Sequence, residues 1–373
     1  MRFTIKRDEF LKVLNSSGKA VNSKVVYPAL SNFKLELTEE GLFVTGSNES
    51  ITIQSSVPFE KNGVQLIRNY KEGAVLINAR ILLEIVRKTE SEELTLDVVD
   101  TTIATIADND SEYKLNCIRA EEYMDVDLDA DGEHLVMTSA DFALMVEQTE
   151  FAASVKEQRP VLTAINLEAA DGQLTAIATD SARMSKKVLN IAPDVSFVAN
   201  IPAKVMREVK GLVEGEPSIE ISVSNKKALF KFGRTVVAAV FVAGEYPNTR
   251  NVVPRILNYI FEVNATELLK AIDKANILSI DRENIVELSM SETEVTVSAK
   301  SSQVGSSVQR ISTFRYEGEP FRILFNSLFV SSAVKALGSE DVVFGFVSEM
   351  KSFVIKNAGD ESIVQVVTPA RPY

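Results

Sequence analysis

A strand-to-helix junction recurs at a fixed interval through the chain. Ile77-Asn78-Ala79, Ile201-Pro202-Ala203 and Phe325-Asn326-Ser327 each end a short apolar run and open a helical one, with successive junctions 124 residues apart. Equal spacing is the mark of a duplicated unit, so the chain must fold as copies of one supersecondary block. The segments that follow, 80–89, 204–213 and 328–337, carry apolar residues at helical spacing, for example Val205, Met206, Val209, Leu212 and Val213 in the second. Asn78 and Asn326 suit N-caps, and Pro202 suits a first helical turn.

A second triplet precedes the first. Phe3-Thr4-Ile5, Leu135-Val136-Met137 and Phe261-Glu262-Val263 read as strands, followed by helices over 8–19, 139–153 and 265–279. Each helix leads into an alternating hairpin: 35–37 to 42–44 through Glu39-Glu40-Gly41, 165–167 to 174–176 through Asp171-Gly172, and 286–288 to 295–297. Further strands near Ile103, Leu229 and Val354 close the copies. One copy therefore runs strand, helix, several strands, helix, several strands, and three such α+β units fill the chain. An acidic run at 125–132 and the segment 248–256 with Pro254 separate them, giving domains 1–126, 127–254 and 255–373. Tyr123 and Tyr246 mark the approach to both linkers.

Composition removes other classes. The longest apolar run, 236–243, has eight residues and reads as a buried strand, far short of the roughly 18 of a membrane span. Met1-Arg2-Phe3-Thr4-Ile5-Lys6 lacks the apolar core of a signal peptide, so a cytoplasmic location without membrane is expected. One cysteine, Cys117, and one histidine, His134, cannot make an internal disulfide or a Cys/His zinc site. His134 follows acidic residues and reads as a surface side chain. No Gly-x-Ser-x-Gly elbow, Gly-x-x-x-x-Gly-Lys-Ser/Thr loop or Gly-x-Gly-x-x-Gly turn occurs, so the sequence points to no catalytic residue, metal or cofactor. Acid pairs are abundant, but none recurs in the repeats, which leaves an enzyme working through two carboxylates without a location.

Asp127, Asp129, Asp131 and Gly132 open like a calcium loop, but the twelfth position is Thr138 where bidentate closure needs Glu, so a solvated linker is expected, with a weak cation site as the alternative. Net charge is −12, yet the six predicted helices hold 11 Lys or Arg against 9 Asp or Glu. Their basic residues, among them Arg80, Arg87 and Lys88, Lys204 and Arg207, and Lys270 and Lys274, fall opposite the apolar stripe. Such a face is either ordinary solvated surface or a local contact for phosphate, salt-sensitive and blind to base sequence. It carries no aromatic stacking platform for single strands.

The three copies, the Thr179-Asp180-x-x-Arg183-Met184 loop, the Gly244-Glu245-Tyr246-Pro247 turn and the Pro369-x-Arg371 ending together resemble the bacterial β sliding clamp family, the DNA polymerase III beta subunits. The resemblance spans the whole chain. It implies a processivity factor in which two chains join head to tail as a ring of six similar domains, with helices lining the hole and antiparallel sheets outside. It implies a partner-peptide pocket of Leu162, Thr179, Arg183, Met184, Pro247, Val252, Met350, Ser352, Val366, Val367, Pro369 and Arg371. The homodimer interface would match Tyr113 and Leu115 to Ile277 and Leu278. Lys24, Arg80, Lys204, Arg207, Lys270 and Lys274 would face double-stranded DNA, as would Lys156 and Arg159 on a loop. The partners implied are the polymerase III catalytic subunit, a clamp loader and other proteins with a clamp-binding motif. Two positions depart from the family pattern: Ser181-Ala182 stands where Gly-His is common, and Asn251 where Arg is common. A repeat scaffold that binds partner peptides without encircling DNA would share the fold and the pocket.

Overall fold

The computed structural model describes residues 1–22, 27–99, 102–156, 158–279 and 284–371. In the first repeat β1 (Arg2–Lys6) runs into α1 (Arg7–Gly18), then β2 (Asn32–Thr38), β3 (Gly41–Ser47) and β4 (Ile51–Val57). A small hairpin of β5 (Glu60–Lys61) and β6 (Val64–Gln65) leads to β7 (Ile67–Lys71) and β8 (Gly73–Asn78). Next come α2 (Ala79–Lys88), β9 (Glu93–Val99), β10 (Ile103–Ala107) and β11 (Glu112–Asn116). The second repeat holds β12 (Glu133–Thr138), α3 (Ser139–Thr149), β13 (Ala164–Ala170), β14 (Gln173–Thr179), β15 (Arg183–Asn190) and β16 (Phe197–Pro202). It closes with α4 (Ala203–Leu212), β17 (Ser218–Val223), β18 (Lys227–Phe232) and β19 (Thr235–Val240). The third holds β20 (Tyr259–Asn264), α5 (Ala265–Asn276), β21 (Ile285–Met290), β22 (Val295–Ser301), β23 (Gly305–Ile311), β24 (Phe314–Glu317) and β25 (Phe321–Asn326). Then follow α6 (Ser327–Leu337), β26 (Asp341–Phe346), β27 (Phe353–Asn357) and β28 (Asp360–Val367).

The junction triplet does what its residues dictate. Asn78 Oδ1 accepts the Ile81 N–H at 3.1 Å, and Asn326 Oδ1 accepts those of Leu328 and Phe329, so two helices start on capped amides. Pro202 differs from expectation. It is the last residue of β16, opposite Ala164, and α4 begins one residue later; with no N–H to give, it is tolerated because β16 is a sheet edge. The helix expected over 139–153 stops at Thr149, whose hydroxyl bonds back to the Met145 carbonyl at 2.7 Å, and a 3₁₀ turn covers Glu150–Ala152. The helix expected to reach 279 ends at Asn276.

The chain divides into two compact units that do not coincide with the three repeats. Unit 1 comprises Met1–Ala140 with Glu208–Phe241, and unit 2 comprises Asp141–Arg207 with Val242–Tyr373. The cause is strand pairing across repeat boundaries. In unit 1, one sheet runs β11-β10-β9-β1-β7, and the other, β12-β17-β18-β19-β4-β3-β2-β8, is continuous because β4 pairs with β19. In unit 2, β15 pairs with β28 to make the sheet β16-β13-β14-β15-β28-β27-β26-β20-β24, beside a second sheet β23-β22-β21-β25. Every pairing is antiparallel, and inward residues alternate, as with Val286, Leu288 and Met290 on β21. Helix α1 packs on α2 around Phe3, Phe10, Phe33 and Leu82, and α5 packs on α6 around Phe261, Phe325, Phe344 and Phe353. Each buried phenylalanine removes roughly 150–250 Å² from water, which makes these rings the main apolar payload of each core.

The acidic run is an ion-paired strap. Asp127 meets the Lys227 ammonium at 2.6 Å and accepts the Asp129 N–H at 3.0 Å, so its carboxylate is already committed. Among the described residues no group of three His, Cys, Asp or Glu side chains is placed to hold a metal. His134 is exposed on β12, with Nδ1 2.9 Å from the Ser222 hydroxyl. No helix among the described residues is long and apolar enough to cross a membrane.

Candidate functional site

The loop between β14 and β15 builds itself from short polar side chains. Asp180 Oδ1 accepts the N–H groups of Ala182 and Arg183, each at 2.9 Å, an Asx turn. The Thr179 hydroxyl accepts the Ser181 N–H at 3.1 Å and donates to the Arg183 carbonyl at 2.6 Å. Ser181 is left with φ +78°, a left-handed conformation that glycine adopts without strain.

Arg183 then leaves the loop with its guanidinium fixed on three sides. Its Nε donates to Asp180 Oδ2 at 3.0 Å, while Cζ lies 4.6 Å from the Phe329 ring centre and 5.5 Å from that of Phe151. This joins charge pairing to two cation–π contacts. Pairing of β15 with β28 sets Arg183 opposite Val367 and Met184 opposite Val366, which brings the loop to the C-terminal strand. Met184, Val366, Ile177 and Val354 form a buried apolar floor, against which Tyr246, Val253, Leu257 and Val364 pack.

The tail and the segment before β20 frame this floor. The Thr368 N–H donates to the Ala182 carbonyl at 2.9 Å, and the Ala370 N–H donates to the Leu324 carbonyl at 2.7 Å, which lays Pro369 across the edge strand β25. The Ser352 and Thr368 hydroxyls are 3.4 Å apart. Met350, 55% exposed, lines a cavity of about 100 Å³ with Ile323, Leu324 and Ala370. Leu162 is buried in the 3₁₀ turn Pro160–Thr163, and Arg371 is exposed at the end of the described tail. On the connector, the Tyr246 hydroxyl accepts the Thr179 N–H at 3.1 Å, and burial pushes its phenol pKa above the ordinary range. Val252 is 39% exposed, and its neighbour Val253 is the one that packs on the apolar floor. A cavity of about 900 Å³ lies beneath this connector on the β13–β16 strands and shares only Pro247 with the predicted set. Predicted residues thus meet at Thr179, Arg183, Met184, Val366 and Val367, with the others around them on connector, tail and turns.

Family profiles described as the N-terminal, central and C-terminal domains of the DNA polymerase III beta subunit match residues 1–127, 136–248 and 250–371. The beta sliding clamp of Bacillus subtilis is 30% identical over 379 residues, covering 100% of both chains. This chain belongs to the DNA polymerase III beta subunit family, the sliding clamps. A crystal structure of the DNA polymerase sliding clamp from Bacillus subtilis matches with a TM-score of 0.97 at 28% identity, and one of the DNA polymerase III beta chain from Streptococcus pneumoniae with 0.95 at 27%; both cover 100% of each chain. The three-domain clamp fold of antiparallel sheets and helices is therefore present here.

In this clamp chain the predicted cations stand on solvent-facing surface. Arg80 on α2, Lys204 and Arg207 on α4, Lys270 and Lys274 on α5, and Lys156 and Arg159 in the turn before Pro160 are all exposed. Arg207 is already paired, with Nε 2.6 Å from Glu150. Lys24 lies outside the described residues. Tyr113 and Leu115 sit on β11 at a sheet edge, and Ile277 and Leu278 follow α5. Ile277 is 69% exposed, whereas Leu278 packs onto the unit 2 core. Sequence reading missed Phe151 and Phe329 at the site. Repeat spacing could have found both: Phe151 stands 16 residues after Leu135 as Ile277 does after Phe261, and Phe329 matches Ile81.

Proposed function

We propose that this chain is a DNA sliding clamp: two copies close head to tail into a ring around duplex DNA and hold replication proteins to it through the pocket over Met184. The domain division at 1–126, 127–254 and 255–373 belongs to this reading. The observation that carries it is the recurrent joint between repeats. The fourth strand of the first repeat, β4, pairs with the last strand of the second, β19, and the corresponding β15 pairs with β28, last of the third. The remaining members of the series, β23 and β11, each lie at a sheet edge. A second copy supplies both with partners.

The register follows from the two joints inside the chain. Ile53 faces Val237 and Ser185 faces Gln365, so by repeat position Tyr113 faces the partner's Ser307 and Leu115 the partner's Gly305. Phe151 and Phe329 flank Arg183 at the second joint, and their counterparts are Ile277 and Ile81, 69% and 48% exposed. Ile81 lines an apolar groove of about 650 Å³ with Val21, Phe33 and Leu83, fit to receive the partner's Ile277 and Leu278.

The exposed cations on α2, α4 and α5 would attract phosphate without reading bases, which lets a topologically held ring slide. Lys24, Lys156 and Arg159 join them in this reading. The net charge of −12 discourages DNA from the remaining surface. No catalytic step, cofactor or metal enters; the partners are the polymerase III catalytic subunit, the clamp loader and other proteins with the same short motif. Work on chromosomal DNA places the ring in the cytoplasm. Loading onto nicked circular DNA by a clamp loader tests it: the chain stays on through gel filtration and is lost after linearisation. Equal retention on circular and linear DNA would leave only the peptide-binding scaffold.

A further inference from the structure

The tip of the loop Thr179–Arg183 is fixed in shape by its own side chains, whereas its distance from the neighbouring connector is set by contacts from outside it. The N–H groups of Ser181, Ala182 and Arg183 are met by Thr179 and Asp180, all within the loop. Beyond the strand pairing at its two ends and the Arg183 contacts with Phe151 and Phe329, two hydrogen bonds reach it from the flanking segments: Thr179 N–H to the Tyr246 hydroxyl, and Ala182 carbonyl to the Thr368 N–H. The first comes from the connector that carries Pro247 and Val252, the second from the tail that carries Pro369 and Arg371. These are the segments that wall the pocket. The connector itself is pinned upstream on β16, where Val242 N–H meets the Asn200 carbonyl at 2.9 Å and Asn200 Nδ2 meets the Gly244 carbonyl at 3.0 Å. The Tyr246 ring packs on the floor around Met184.

We propose that Tyr246 is a positioning residue of the partner-peptide pocket, its hydroxyl setting the distance between the Thr179–Arg183 loop and the Pro247 wall; this rests on the pocket reading above. Removing the hydroxyl keeps the ring in the floor but leaves the Thr179 N–H without its acceptor, so the loop can drift from the wall. Tyr123, buried at the corresponding turn of the first repeat, is the matched control.

The test compares Tyr246→Phe, Tyr123→Phe and Arg183→Ala with the parent chain. The probe is a fluorescein-labelled hexapeptide with two leucines and a C-terminal phenylalanine, read by anisotropy, with amide exchange followed at Thr179. Tyr246→Phe should weaken binding roughly 3- to 10-fold and speed exchange at Thr179 while the native mass stays unchanged. Tyr123→Phe should bind within twofold of the parent. Weakening by Arg183→Ala with none by Tyr246→Phe would overturn the proposal alone. No change in either variant would remove the pocket reading, and the proposal with it.

Discussion

Replacing Ile277 with Ala tests whether the two unpaired edges meet. The side chain is 69% exposed in the single chain, so truncation should leave folding almost untouched. Fully burying an isoleucine stabilises by roughly 1.5–3 kcal/mol, and 69% of that is about 1–2 kcal/mol at each joint. A closed ring has two such joints. Dimer dissociation should therefore become easier by about 2–4 kcal/mol, some 30- to 700-fold in the dissociation constant. Sedimentation across a dilution series measures this, with thermal melting as the control on folding. Contact with the partner's Ile81, 48% exposed, makes a sharper demand. Residues that touch are coupled, so Ile277→Ala and Ile81→Ala together should lose less than the sum of the single losses. A dissociation constant within twofold of the parent, or strict additivity, would refute the register carried over from the internal joints.

Three further outcomes follow from particular contacts. Ser181→Gly relieves the positive φ and should raise stability by about 1 kcal/mol, less the entropy glycine adds to the unfolded chain; an unchanged or lower melting temperature would contradict this. The Glu267 carboxylate accepts the backbone N–H groups of Ser312 and Thr313 at 2.6 and 3.2 Å, and the Ser312 bond foremost holds its pKa below 4.5. Its contribution is then complete above about pH 5 and is lost as pH falls through the depressed value; Glu267→Gln should flatten that limb of a pH-dependent unfolding curve. Replacing both Lys270 and Lys274 with Ala removes four cations from a ring of two copies and should reduce the slope of log affinity against log salt for duplex DNA by about 3.6 if all four meet phosphate, whatever its sequence, and an unchanged slope would take these residues off the DNA-facing surface.

What was legible in the sequence was whatever depends on local order. The junctions at Ile77, Ile201 and Phe325 show because apolar alternation turning into helical spacing is written within a dozen residues. Asn78 and Asn326 show because an N-cap acts on amides two or three residues away. Pro202 misled because a proline at a helix start looks the same whether it is the last strand residue or the first helical one. The pairings of β4 with β19 and β15 with β28 leave no local trace. They join residues about 180 positions apart, and with them the two compact units stayed hidden. The aromatic brace on Arg183 was hidden likewise: Phe151 and Phe329 look like ordinary helix residues until a strand from between them arrives.

The joints differ in what holds them. At the first, Ile51 and Ile53 face Ala239 and Val237, an apolar seam. At the second, Ser185 faces Gln365, and the Lys187 side chain, only 4% exposed, reaches Asp360 at 3.0 Å and the Ser362 hydroxyl at 2.6 Å. A buried pair of this kind adds little net stability, because desolvation offsets much of its attraction. That seam can be polar because the connector between β19 and β20 already keeps its strands at high effective concentration. No connector serves a joint between β11 and a partner's β23. In the proposed ring such a joint would have to take its free energy from contact alone, a demand that apolar Tyr113, Leu115, Ile81 and Ile277 and the small Gly305, Ser306 and Ser307 would meet. It would also be the one kind of joint that can part without the chain holding it, so the proposed ring would open for DNA between its subunits.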